Sequence, residues 1–180
     1  MDKYEVLLNQ NRKIFHAQDL ALLWEIDNQD TLNVTLKRFV DRGILKRIHK
    51  GFYATVDIKD IDPLDLGFSY INTYSYVSLE TVLAKEGVIF QELKYITFVS
   101  SKSNTFEINN QRYKVRQLKD EFLNNTAGIF KKGEHYEASI ERAIADILYY
   151  NPKYHLDNAG SIDFEKVLKL QKEIGYASSK

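Results

Sequence analysis

The chain has no cysteine, one methionine, one tryptophan and two prolines among its 180 residues. Without thiols there are no disulfides, thiolate metal sites or cysteine nucleophiles, and the usage suits a reducing compartment, so the cytoplasm is the expected location. The eight glycines are scattered singly, and neither GxxxxGK[ST] nor GxGxxG occurs, which removes phosphate-loop and dinucleotide fingerprints. No serine lies in a GxSxG elbow, so covalent hydrolase chemistry has no support. Long apolar runs are missing as well. The opening MDKYEVLLNQNRK lacks the run of about 7 to 15 apolar residues of a secretory signal, and no window approaches the roughly 20 of a membrane span. Neither export by that route nor membrane insertion is expected. Net charge is also absent, with 25 basic against 25 acidic side chains. What is present is 44% apolar residues, enough for an ordinary globular core.

A zero sum hides separation along the chain. Between positions 37 and 50, Lys37, Arg38, Arg42, Lys46, Arg47 and Lys50 face the single carboxylate of Asp41. The balance then reverses in VDIKDIDPLD, where Asp57, Asp60, Asp62 and Asp65 oppose Lys59 alone. That reversal, with Pro63 inside it, reads as a junction between a first domain at residues 1 to 56 and a second at 57 to 180.

The first domain opens with a short amphipathic segment, Tyr4 to Leu8. A helix with Leu20, Leu23 and Trp24 at spacings of three and four follows, and Trp24 on that apolar face is read as core. After a turn at Asp27 and Asn28 comes a second helix, with Asp30 as its N-cap and an apolar stripe of Leu32, Leu36, Phe39 and Val40. Gly43 followed by Ile44 matches a Schellman stop. LKRI and FYATV around HKG read as a hairpin. Helix, helix, tight turn, helix and basic hairpin is the order of a winged helix-turn-helix. In that arrangement Asn33, Lys37 and Arg38 sit on the recognition helix, for base edges or adjacent phosphates, and Arg42 closes it. Lys46, Arg47, His49 and Lys50 ride the wing, where phosphate or minor-groove contacts are the usual task. Two other readings exist: a solvated helix with a lysine-protected edge hairpin, and a protein-interaction module whose hairpin meets an acidic partner. The coincidence of charge on helix and hairpin favours duplex DNA. One such module binds a half-site weakly, so a homodimer or cooperative binding on paired sites is expected.

The second domain reads as α+β. Asp62 and Pro63 begin a helix, and SLETVLAKEG is another with Ser78 as N-cap. YITFVS, TFEI and RYKVRQL are strands, AGIF and HYEA form a hairpin around KKG, and SIERAIADILYY and DFEKVLKLQKEI are amphipathic helices before the polar tail YASSK. His135, Glu137, Glu141, Asp146, His155 and Asp157 fall close together in sequence but in no ligand motif such as HExxH. Arg142 and Asp146, at i and i+4, suggest a surface ion pair instead. No enzymatic activity, metal or cofactor is expected.

The run DLALLWEIDNQDTLNVTLKRFVDRGILKRIHKGFYA resembles the N-terminal winged-helix domain of the AbiEi-type antitoxins. These are regulators from bacterial abortive-infection operons, assigned to type IV toxin–antitoxin systems. YVSLETVLAKEGVI, ITFVSSKSNTFEI and EASIERAIADILYYNPKYHLDN resemble that family's second domain, in the same order, so the likeness runs from about Phe15 to Leu170. It implies a repressor that binds repeated sequences upstream of its own operon, and a C-terminal domain that counters a nucleotidyltransferase-like toxin. The resemblance does not imply that antitoxin and toxin form a stable complex.

Overall fold

The computed structural model describes residues 2–176; the rest of the polar tail lies outside the described residues. The architecture is mixed α+β, and the chain divides into two compact units after Tyr70. Residues 57 to 70 therefore group with the first unit, although the charge reversal suggested a break at residue 57.

The first unit runs α1 (Lys3–Leu8), β1 (Ile14–His16), α2 (Ala17–Leu23), α3 (Gln29–Asp41), β2 (Lys46–His49), β3 (Phe52–Ala54), a 3-10 turn at Ile58–Asp60 and α4 (Pro63–Ile71). Leu32, Leu36 and Phe39 of α3 are buried with Leu7, Phe15, Leu20 and Trp24, so the stripe spaced by three and four became the core face. Trp24 packs on the Phe39 ring, and its indole N–H donates to the Lys3 carbonyl at 3.0 Å. The N-cap of α3 is Asn28, whose side chain accepts from the Thr31 N–H at 3.0 Å, not Asp30. Asp30 lies in the first turn instead, where its charge meets the helix dipole. At the other end Gly43 takes φ 72°, and the N–H groups of Gly43 and Ile44 donate to Val40 and Phe39. That is the Schellman pattern the sequence suggested.

β3 is the central strand of a three-stranded antiparallel sheet in the order β1-β3-β2. Lys50 and Gly51 turn the hairpin, and Gly51 (φ 70°) also accepts the Ala17 N–H at 2.8 Å, which ties the turn to the start of α2. The His16 ring nitrogen Nε2 lies 2.8 Å from the Ser69 carbonyl, and Tyr70 packs edge-on against Phe52, so α4 closes this unit.

The second unit is built on a six-stranded sheet in the order β6-β7-β5-β4-β9-β8. Its strands are β4 (Ser75–Val77), β5 (Ile96–Ser100), β6 (Asn104–Ile108), β7 (Gln111–Gln117), β8 (Ile129–Lys132) and β9 (His135–Ala138). The pairs β5–β7 and β4–β9 are parallel and the others antiparallel. The helices are α5 (Glu80–Lys85), α6 (Asp120–Leu123), α7 (Ile140–Tyr150) and α8 (Phe164–Ile174). Ser78 is not the cap of α5. Its hydroxyl donates to Asp146 at 2.8 Å, and Leu79 takes the cap position with φ 58°.

Arg142 and Asp146 are both fully buried, which corrects the expectation of a surface pair. Asp146 Oδ1 accepts from Arg142 Nε at 2.9 Å and from the Tyr176 hydroxyl, and Oδ2 accepts from Tyr76 and Ser78. Arg142 also donates to the carbonyls of Asn125, Ala127 and Phe122 and to the Tyr76 hydroxyl. Breaking a buried pair by removing one partner costs about 3–5 kcal/mol, because the other charge stays stranded. An exposed pair such as Lys37–Asp41 contributes about 1 kcal/mol at most.

A second buried carboxylate, Glu137 on β9, accepts from Lys85 at 3.0 Å and from Lys132 at 2.6 Å. Burial raises its pKa, but the two ammonium hydrogen bonds outweigh that and hold the carboxyl below its ordinary value of 4.5. A depressed folded-state pKa adds stability above the unfolded value and loses it as pH falls through the folded one. Denaturation midpoints of the wild type should therefore drop as pH falls below 4.5, and the wild-type advantage over Glu137→Gln should shrink over the same range. An advantage independent of pH would contradict this assignment.

Candidate nucleic-acid interface

The eight side chains singled out in the sequence are all exposed. Asn33, Lys37 and Arg38 lie on α3, Arg42 is its C-cap, Lys46, Arg47 and His49 lie on β2, and Lys50 is in the hairpin turn. Phe52 and Tyr53 on the neighbouring strand are buried and fix that hairpin to the unit's interior.

On α3 these residues form two groups. At about 100° per residue, Asn33 and Lys37 lie about 40° apart, as do Arg38 and Arg42, while Lys37 and Arg38 diverge by about 100°. Arg38 and Arg42 line a shallow hollow with Thr35, Asp2 and Lys3 at the start of α1. Asn33 and Lys37 belong to the other edge of the exposed face. One helix therefore does not present all four to a single flat surface.

Their electrostatic states differ as well. Lys37 is paired with Asp41 at 3.5 Å, both well exposed. Lys46 is engaged by Asp57, and that hydrogen bond, with the nearby ammonium charge, holds Asp57 below its ordinary value. The acidic stretch after the hairpin thus folds back onto it and offsets one of its charges. The His49 ring stands edge-on to Tyr70 at 5.7 Å. Among the described residues, the side chains of Arg38, Arg42, Arg47 and Lys50 make no ion pair or hydrogen bond, so their donors face solvent.

Two residues on this face carried no role in the sequence reading. Gln29 Nε2 donates to Asn33 Oδ1 at 3.1 Å, and Val34 is an exposed apolar side chain beside them. The i, i+4 spacing of the two amides was a usable signal. Val34 gave none, since a lone surface valine is ordinary.

The acidic residues of the second unit are dispersed. Asp146 accepts four hydrogen bonds, about the capacity of a carboxylate, which leaves no lone pair for a metal. Glu137 is held by Lys85 and Lys132, with His135 Nε2 at 3.6 Å, and Asp157 accepts from the Phe90 N–H at 2.8 Å with His155 beside it. Among the described residues no group of three or more His, Asp or Glu side chains could hold a metal ion. No helix among them is long and apolar enough to cross a membrane.

No protein-family model matches the chain, and none of the curated proteins matches it.

Proposed function

We propose that residues 1–70 form a winged helix-turn-helix that binds duplex DNA, with α3 as recognition helix and the β2–β3 hairpin as wing. What carries this reading is the exposure of four unpaired cationic side chains, Arg38, Arg42, Arg47 and Lys50, on those two elements. A solvated helix or a protected sheet edge would need no such concentration on both at once. Arg47 and Lys50 suit phosphate contacts, and Asn33 and Lys37 are at the edge of α3 available to bases. Lys46 contributes only when it leaves Asp57.

By the resemblance of its four sequence phrases, the whole chain acts in the cytoplasm as a type IV antitoxin of an abortive-infection system. The first unit represses the operon, and the second counters a nucleotidyltransferase-like toxin without enzymatic chemistry of its own. The saturated Asp146 and the lysine-bound Glu137 support a structural role for that unit's buried carboxylates.

Affinity of the full chain for the duplex upstream of its own reading frame should fall steeply with salt. Replacing Arg47 and Lys50 together by Ala should flatten the log–log slope by about two, since each phosphate contact contributes about 0.9. No binding to that duplex at low salt would rule out the repressor reading and leave the protein-interaction module. Co-expression with the product of the neighbouring reading frame should relieve that product's toxicity. Undiminished toxicity would remove the antitoxin role while leaving DNA binding intact.

A further inference from the structure

The exposed edge of α3 carries a specific pattern of hydrogen-bonding groups. Because Gln29 Nε2 donates to Asn33 Oδ1, the pair leaves Gln29 Oε1 as an acceptor and Asn33 Nδ2 as a donor. Both residues are exposed and lie in the first half of the helix, at N1 and one turn further on. Adenine presents the complementary set in the major groove, an N7 acceptor beside an N6 donor. Guanine presents two acceptors, N7 and O6, so Gln29 Oε1 would meet O6 lone pair to lone pair. Cytosine N4 and thymine O4 each have their complement only on the partner base, guanine O6 or adenine N6, whereas adenine alone carries donor and acceptor on one ring edge, where two neighbouring amides meet them in one plane.

Val34 adds a second element. It is 49% exposed and does not belong to the first unit's core, while Asn33 on one side and Lys37 one turn on are exposed and polar. A β-branched residue brings no helix propensity to such a position. It stands about 1.5 Å along the axis and about 100° around from Asn33, so it does not share the amides' flat face; a helix seated in the concave major groove presents both directions, to different base pairs. The only apolar group on a major-groove edge is the thymine 5-methyl.

We infer that α3 reads A·T pairs: the Gln29–Asn33 amides select an adenine, and Val34 packs on the 5-methyl of a nearby thymine. The inference rests on the DNA-binding reading above and adds the identity of the bases.

The test uses the full chain and the duplex upstream of its own reading frame, first footprinted and then altered one base at a time. Deoxyuridine for thymine removes only the methyl, and 7-deazaadenine for adenine removes only the N7 acceptor. At one thymine, deoxyuridine should weaken the wild type about fourfold, the effect of one buried methyl, and should leave Val34→Ala unaffected. At one adenine, 7-deazaadenine should weaken the wild type about tenfold and leave Asn33→Ala unaffected. Val34→Ile, which keeps the apolar contact, should retain the sensitivity to deoxyuridine. Salt-dependent binding with flat responses to both base analogues would overturn the inference while the DNA-binding reading stands. Absence of salt-dependent binding would remove both together.

Discussion

The second unit depends on one buried ion pair. All five N–H donors of Arg142 are used, one on Asp146, three on backbone carbonyls of the segment before β8 and one on Tyr76. Asp146 in turn gathers hydroxyls from Tyr76 and Ser78, next to or within β4, and from Tyr176 after α8. Two charges thereby join α7, the sheet, the 122–127 segment and the end of α8 without a missing bond. Burial pushes the Tyr76 and Tyr176 hydroxyls upward, and the neighbouring carboxylate adds to it, so both stay protonated donors. The surrounding chain is shaped to fit: Gly128 has φ 72°, and a Cβ there would lie 2.9 Å from that of Arg142. A pair so completely occupied acts as a clamp and has nothing left to offer a ligand or metal.

The first unit is organised the other way round. Its interior is almost wholly apolar, and its charges are outside. β3, held between β1 and β2, buries Phe52 and Tyr53 and so sets the hairpin that carries Arg47 and Lys50. Asp57 then restrains Lys46, which makes the adjoining acidic stretch part of the candidate interface instead of a linker. One carboxylate of the acidic stretch, Asp57, thus lies against the basic hairpin.

Much of this arrangement could be read from residues in order. The stripe of Leu32, Leu36 and Phe39, the stop at Gly43, and the hairpins at Lys50–Gly51 and around Gly133 all follow from local chemistry, and all are there. The misses are positions where a distant partner decides. β1 and β4 are three residues long, too short for alternation to show, and exist because β3, β5 and β9 pair with them. Ser78 has the composition of a cap, but its hydroxyl donates to the buried Asp146, and Leu79, with φ 58°, holds the cap position. The i, i+4 spacing of Arg142 and Asp146 was legible and their burial was not, since periodicity cannot reveal that Tyr76 and Tyr176 wait on the inner side. In the candidate interface the eight residues were found by charge and type. Their division into two edges of α3 and the restraint on Lys46 needed the tertiary structure.

We propose that α3 and the β2–β3 hairpin together face DNA. The most direct test is a titration of the isotopically labelled full chain with its upstream duplex, followed by amide chemical shifts. The largest changes should fall on residues 29–38 of α3 and on residues 46–51 of the hairpin, with small changes around Arg142 and Asp146. Changes concentrated on the second unit, or on one of the two elements without the other, would contradict the proposal.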